Sequence, residues 1–581
     1  MNSSTSVYRS KASRRAFLRG AAIAAGGLGG AVLIGCGDDD DGGATATAGA
    51  GGGGGAAATS TASTDSTTQA ADIPRGGKFT WAWQGTSHLD MHQDSISGAG
   101  QIVPAAYSRL LRYEDDAQLP APDLAASWEQ SDELTITFHL NEGVKFQNKP
   151  PVDGREMTAE DVVYSLDRAR SPEPSFVHAG DLASIERIEA PDAQTVQITT
   201  TVPNAVLLTT LAGVQFFVLA PEAVEQFGDL KSVEATIGTG PFIVESFAPD
   251  AGAKLVRNPD YWREGLPYLD ELEQLDIGDE WSQFLGGKVD RATLSAEQVE
   301  GYSSFEEALE SLDVDGYITK GVSNSSAIAH FMNTEDPLFA DPRVRWAMNL
   351  LADRQPNLLY GWPVGGYPSI ALGDGHAPFQ LDLSEYASMP GFRSDGREQD
   401  IADGLALLSQ AGYDQDNPLV WEIMGWNVPQ RWIGIDQLQL VADMYQDVSG
   451  GVLKPTVKGL EWGAWKQAEQ QHSFQMISSM YSMGVDPHDA LQKMYHSQGG
   501  RNFAQYNNPE FDAMLEREQG TFDIEERTEL IREMLRYLNS EEQLANVWIG
   551  TGPIAGVTNP EIQGWTALID PGKIDQVYRV A

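Results

Sequence analysis

The sequence predicts an α/β protein, and three stretches carry that prediction. Strand-like runs at Leu419 to Met424, Leu453 to Lys458 and Phe474 to Met480 bracket a helical pattern from Gln430 to Val448, an alternation that reads as an α/β layer. Leu134, Ile136, Phe138 and Leu140 alternate with polar residues, the period of a strand with one buried face, which turns His139 away from the core. Val344, Ala347, Met348 and Leu351 recur at helical spacing behind Asp341-Pro342, a cap followed by a first-turn proline.

Taken from its start, the chain opens on Ser13-Arg14-Arg15-Ala16-Phe17-Leu18-Arg19, then sixteen small or apolar residues up to Cys36, the one cysteine among 581 residues. A basic start, a short apolar run and small residues before a cleavage point describe an export signal. The adjacent arginines followed by Phe17-Leu18 resemble a twin-arginine signal. Leu33-Ile34-Gly35-Cys36 resembles a lipobox, which implies a signal peptide over 1–35 and a lipid on Cys36 that tethers the protein outside the cytoplasm. The apolar run falls short of the roughly 20 residues that span a bilayer. A lone cysteine leaves no intrachain disulfide, so the fold rests on its core. Residues 36–72 are that cysteine followed, from Gly37 to Asp72, by a stretch dominated by Gly, Ala, Ser, Thr and Asp with almost nothing to bury, a flexible linker reaching roughly 33 Å end to end.

The chain carries 83 acidic against 39 basic side chains, a formal charge of −44, and five of the basic ones lie within residues 1–35. Nucleic acid and anionic head groups need clustered Lys or Arg, so such a body is not built to bind them. The acid excess itself speaks to a solvated surface.

In the body, Phe79, Trp81 and Trp83 alternate as one face of a first strand. His88 and His92 stand four apart, but no HExxH accompanies them and the setting reads as a loop, so no metal is expected. Thr158 with Asp161 three residues on predicts a helix start that turns Val162, Leu166 and Ala169 inward. Ile237-Gly238-Thr239-Gly240-Pro241-Phe242 has the look of a phosphate loop, yet a strand follows it where a phosphate site needs a helix N-terminus. A strand is expected from Glu271 to Ile277. Ile401, Leu405, Leu408 and Ala411 predict a helix stopping at Gly412, and later helices are expected over Pro509 to Leu515 and Thr528 to Leu538.

These residues together resemble one family, the family 5 extracellular solute-binding proteins, receptors of peptide, nickel and sugar ABC importers. The matching pieces run in family order: Gly76-Gly77 with Leu89-Asp90, Pro122-Asp123-Leu124-Ala125-Ala126-Ser127-Trp128, Gly143-Val144-Lys145-Phe146, Thr158-Ala159-Glu160-Asp161-Val162 and Ile237 to Phe242. Asn258-Pro259-Asp260-Tyr261-Trp262, Asp341-Pro342-Arg343-Val344-Arg345 with Asp353-Arg354, Leu407-Leu408 through Ala411-Gly412-Tyr413, and Tyr506 to Asp512 complete the set. The resemblance implies a two-lobed periplasmic-binding-protein-like fold (type II, cluster C) with an extra inserted small domain. It places core domain I at 73–112, 219–326 and 546–581, the inserted domain II at 113–218, and domain III, the second lobe, at 327–545. It further implies a monomer without a cofactor that closes on a small solute and hands it to an ABC transporter permease.

Candidate ligand-binding residues lie at strand ends, where open α/β sheets present ligands: Trp83 and Gln84 after the first strand, Trp426 and Asn427 after the strand at 419–424. Tyr481, Met483, Asp486 and His488 follow the strand at 474–480. Peptide-binding relatives resemble this last stretch but place an aspartate four residues before the proline, where it pairs with a peptide's α-ammonium group; here Met483 stands there. A thioether cannot neutralise that charge, so the resemblance implies a ligand without a free peptide N-terminus, an oligosaccharide or a modified small molecule. Met483 and Tyr481 would line its apolar side, Asp486 or His488 its polar side, and Asp486 has a second reading as the cap of the helix that Pro487 opens. An oligopeptide receptor is the nearest alternative. A cleft enzyme such as a glycosidase is the rival from another class, but the chain has no GxSxG, no Walker lysine loop and no metal-ligand spacing among its nine histidines. A receptor that reports its ligand without transport is the third reading.

Overall fold

The computed structural model describes residues 73–580 except 84–85, 94–101, 114–118, 174, 177, 250, 322–326, 428–433, 482–485 and 566–570. The signal, Cys36, the linker, Gln84 and Met483 lie outside the described residues.

The first lobe begins with β1 (Lys78–Ala82), where Phe79 and Trp81 are buried and Trp83, just past the strand, is 37% exposed. Next come β2 (Ala125–Asp132) and β3 (Thr135–Leu140), joined by a tight turn. Ile136, Phe138 and Leu140 face the core as their alternation predicts, and His139 is exposed. Leu134 departs from the expectation: it sits in the turn, where its N–H donates to Asp132, and is exposed.

Helix α1 (Ala159–Ala169) starts where Thr158 predicts, with the Thr158 N–H donating to Asp161 Oδ2 at 2.8 Å. Val162, Leu166 and Ala169 are buried. It packs near β4 (Ile185–Asp192) and β5 (Thr195–Thr200), and the antiparallel sheet β2-β3-β5-β4 lies wholly within the segment expected as the inserted domain. β6 (Phe242–Ala248), β7 (Gly252–Arg257) and β8 (Glu271–Leu275) complete a second sheet in the order β1-β8-β7-β6. One core cluster, from Phe79 to Val577, underlies both sheets.

The phosphate-loop look-alike has a packing explanation. A Cβ at Gly238 would lie 2.2 Å from the Ala106 carbonyl oxygen, and one at Gly240 would lie 2.4 Å from the Ala106 carbonyl carbon. Glycine is there because two backbones touch, as the Gly240 N–H donating to Ala106 O at 3.0 Å shows.

The second lobe is built on the sheet β11-β10-β12-β9-β13. Its members are β9 (Ala327–Met332), β10 (Leu419–Trp426), β11 (Leu453–Leu460), β12 (Met476–Tyr481) and β13 (Asn546–Gly550). β10 runs parallel to β11 and β12, while β9 is antiparallel to β12 and β13. Because β13 pairs with β9, this sheet takes in residues 546–550, past the boundary expected at 545.

Along β9, Ala327, Ala329 and Phe331 join one core and Ile328 and Met332 another, so both faces are covered. α2 (Pro342–Leu351), α3 (Arg354–Gly361), α4 (Arg397–Gln410) and α5 (Ile435–Val448) contribute to the second of those cores. α6 (Trp462–Gln470), α7 (Pro487–Tyr495), α8 (Pro509–Gln519) and α9 (Ile524–Leu538) contribute to the first. Asp341 caps α2 through the Arg343 N–H, and α4 stops at Gly412, whose φ of +93° suits glycine. A three-stranded sheet of Arg291–Thr293, Ile554–Thr558 and Tyr317–Gly321, in that order, carries a smaller core that Val364 of the second lobe joins. Among the described residues, no helix is long and apolar enough to cross a membrane.

Candidate functional site

On the first lobe the site begins where β1 ends. The Trp83 N–H donates to Leu275 O at 3.0 Å, and Gln274 Nε2 donates to Trp83 O at 3.2 Å, so the backbone that carries the ring is held by β8. The two histidines near it do not pair as ligands. His92 is buried against Phe217 with ring centroids 4.5 Å apart, and its Nδ1 lies 2.8 Å from the Arg168 guanidinium, which also binds Asp90. Burial, with Arg168 adding to it, holds the His92 imidazole well below its usual pKa, so it is neutral. Among the described residues, no group of three or more His, Cys, Asp or Glu could hold a metal ion.

On the second lobe Trp426, the last residue of β10, meets two rings that sequence reasoning did not single out. Trp462 opens α6 with half its surface exposed, 4.8 Å from Trp426 in an edge-on arrangement, while Trp465 is buried and stacked nearly parallel to Trp426 at 6.4 Å. Lys466 Nζ lies 4.0 Å from the Trp465 ring centroid. The signal was present as Trp462 and Trp465 three apart, one face of a helix, but nothing local joins them to Trp426. Asn427 is exposed, with its N–H donating to Leu460 O at 2.8 Å.

Tyr481 ends β12, and the chain re-emerges at Asp486, which caps α7 as its second reading foresaw: the His488 N–H donates to Asp486 Oδ1 at 2.8 Å. Asp486 also takes both ends of the Arg527 guanidinium, at 2.5 and 3.0 Å. Arg527 Nε donates to Glu518 Oε1 at 2.6 Å, and the other Glu518 oxygen is 2.5 Å from His488 Nδ1. All four side chains are buried. Burial alone would raise the Asp486 carboxyl, but the Arg527 charge holds it below its ordinary value. Burial alone would lower His488, but its bond to Glu518 lifts it above. Arg527 therefore bridges the two carboxylates inside the lobe, and His488 joins the set through Glu518. Asp486 and His488 hold the chain entering α7 rather than present a free charge.

A half-buried carboxylate that the sequence reading passed over stands beside them. Burial raises the Asp489 pKa against the pull of Lys493 at 4.0 Å, and Asp181 of the inserted segment adds to the rise. A separate cavity of about 150 Å³ between α8 and α9, lined by Met514, Leu530, Met534 and Tyr537 among others, holds none of these residues.

Comparison with known proteins decides the family. The model of bacterial extracellular solute-binding proteins, family 5 (middle), matches residues 120–503. The chain belongs to that family. It is 24% identical to the periplasmic oligopeptide-binding protein OppA of Escherichia coli strain K12 over 538 residues, covering 88% of this chain and 94% of the relative. Among solved structures it resembles HbpA2 from Haemophilus parasuis, with a TM-score of 0.73 at 19% identity, covering 87% of this chain and all of the other. It also resembles DppA from Helicobacter pylori in complex with the peptide STSA, with a TM-score of 0.66 at 20% identity, covering 87% and 98% of the two chains. The expected two-lobed fold is thus that of its structural neighbours. As a member of this family the chain is an extracytoplasmic solute-binding receptor of an ABC importer and not an enzyme.

Proposed function

We propose that the protein is a lipoprotein anchored through Cys36 that captures a solute lacking a free peptide N-terminus, an oligosaccharide or a modified small molecule, and delivers it to an ABC transporter permease. The observation that supports this reading is the engagement of Asp486. With Met483 where peptide-binding relatives carry an aspartate, Asp486 is the nearest carboxylate before Pro487, and Arg527 already holds it in a bidentate pair. Leaving a buried ammonium without its carboxylate typically costs about 3 to 5 kcal/mol, a few hundred-fold to several thousand-fold in affinity. The exposed Trp83 and Trp462, with Trp426 edge-on to Trp462, suit a ligand recognised by stacking.

A peptide ligand is the second reading, favoured by the likeness to OppA and by Asp489, which could receive an ammonium group in place of Asp486. A thermal-shift screen of di- to pentapeptides, each with a free and with an acetylated N-terminus, against oligosaccharides separates the two. The first reading expects oligosaccharides or blocked peptides to raise Tm, and free peptides to leave it unchanged. Stabilisation by free peptides that disappears in Asp489→Asn would replace it with the second.

A further inference from the structure

The last residues of the chain return to the first lobe and bury a carboxylate there. Asp575 lies in the turn Pro571–Gln576 with no exposure, and Ile574 and Val577 beside it join the first-lobe core. Its backbone carbonyl accepts the Tyr268 N–H at 3.2 Å. The chain runs on as Tyr578–Arg579, paired with Ile562–Gln563. There Arg579 Nη1 donates at 2.9 Å to the carbonyl of Lys78, the first residue of β1, the strand that leads to Trp83.

Charged and titratable groups reach Asp575 from three other segments. From the turn that follows β7, the Tyr261 hydroxyl donates to Asp575 Oδ2 at 3.1 Å, and Arg263 Nη1 lies 3.7 Å from the same oxygen. From the strand pair Leu111–Tyr113 and Pro120–Pro122, where the inserted segment begins, Arg112 and Asp123 act on it by their charge. The helix Val103–Ala106, also packed against the turn, is apolar throughout, and the turn itself carries Lys573.

The cations do not settle on Asp575. Arg263 makes its short contact with Asp123, at 2.6 Å, and Arg112 Nε and Nη1 are buried without a hydrogen-bond partner among the described residues. Asp575 Oδ1 is likewise buried without one. Burial therefore outweighs the two guanidiniums and Tyr261, and it lifts the Asp575 carboxyl from an ordinary 3.8 to about 6. The folded chain holds this proton more tightly than the unfolded chain. Stability from this group is complete below about pH 3.8 and is lost as pH rises through about 6.

We propose that Asp575 is a proton-operated clasp: protonated, it fastens residues 571–580 to the start of the inserted segment and to β1, and ionised, it loosens them. The clasp belongs to the first lobe alone and requires no particular solute.

Hydrogen exchange of the full chain, read by mass spectrometry on peptides covering 571–580 and corrected for the intrinsic effect of pH, tests it. Where protection reports the opening equilibrium, opening should be about tenfold more frequent at pH 7.5 than at pH 5, the linkage expected of a carboxyl at about 6 when folded. Asp575→Asn cannot ionise and should abolish that difference. Equal protection of the unsubstituted chain at the two pH values, or a tenfold difference that survives in Asp575→Asn, overturns the clasp. If Asp575→Asn does not fold, Tyr261→Phe decides. It removes a hydrogen bond donated to the ionised form, so the loss of protection should move to higher pH, and a loss that stays in place or moves lower overturns the clasp.

Discussion

At the scale of single residues, His330 shows what burial does to a titratable group. It lies on β9 with no exposure, neither ring nitrogen has a hydrogen-bond partner among the described residues, and burial, with the Arg354 guanidinium adding to it, pulls its pKa down to about 3. The folded state then binds a proton less readily than the unfolded chain, whose histidines titrate near 6.5. Stability from this residue is complete above about pH 6.5 and declines as pH falls toward 3, by on the order of 1.4 kcal/mol per pH unit within the window. His330→Leu is expected to flatten that acid limb, as measured by urea midpoints at pH 7.5 and pH 5. An unchanged difference between the two midpoints would show that His330 does not titrate in this way. Trp83 and Trp426 carry the second residue-scale prediction. Each →Ala substitution should weaken calorimetric binding of the solute that co-purifies with the chain, identified by mass spectrometry, by about 0.5 to 1.5 kcal/mol. Folded variants that bind as the unsubstituted chain does would remove the rings from the site.

Among the elements, the Ile237-to-Phe242 turn and its neighbours show two different uses of glycine. At Gly240 an added Cβ would press to within 2.4 Å of the Ala106 backbone, whereas Gly143 has a φ of +73° and open space around it. Gly240→Ala must push apart two backbones buried under the first-lobe core and should cost at least 1 to 3 kcal/mol, about the range for overpacking. Gly143→Ala carries only the backbone strain of a left-handed residue, about 1 to 2 kcal/mol. Thermal denaturation of the two variants compares them, and an equal or smaller loss at Gly240 would mean that the strand β6 relaxes around the new methyl. The helices follow the same logic of local cause. α1 begins at Thr158 because Asp161 answers its backbone N–H, and α7 begins at Asp486 because that carboxylate answers the N–H of His488.

The whole molecule is a two-lobed receptor whose large cores are separate, with a smaller core in which Val364 of the second lobe meets Ala292 and Val557 of the first, and a backbone contact at Ala205. The lipid anchor proposed at Cys36 has a test at this scale. Cys36→Ala should release the protein from the membrane fraction into the soluble extracytoplasmic fraction, as measured by fractionation and immunoblotting, while leaving the fold of residues 73–580 untouched. Retention of the variant on membranes would dismiss the lipid anchor. The acid excess bears on the same point: with a formal charge of −44 over its whole length the chain gains nothing from anionic head groups, so any membrane attachment would have to come from the proposed anchor.

Elements whose cause is local were legible in the sequence. The period of Ile136, Phe138 and Leu140, the cap at Asp341 and the stop at Gly412 are each decided within a few residues, and each holds in the fold. The edges were less legible: Leu134 has the right period for β3 but falls in the turn, because a hairpin's end is set by its partner strand. The order of motifs along the chain was enough to indicate the family. What sequence could not supply is which distant side chain would meet which. Asp486 reads equally well as a ligand contact or a cap until Arg527, 41 residues on, arrives from another helix and takes its carboxylate. Trp462 joins Trp426 only because β10 and β11 pair side by side, and Ala205 meets Gln519 only because two lobes come together. Periodicity and capping act over one or two turns of backbone and are written in neighbouring residues. Charge pairing, ring contact and lobe contact depend on chain segments brought together by burial of the whole core, and only the tertiary structure decides them.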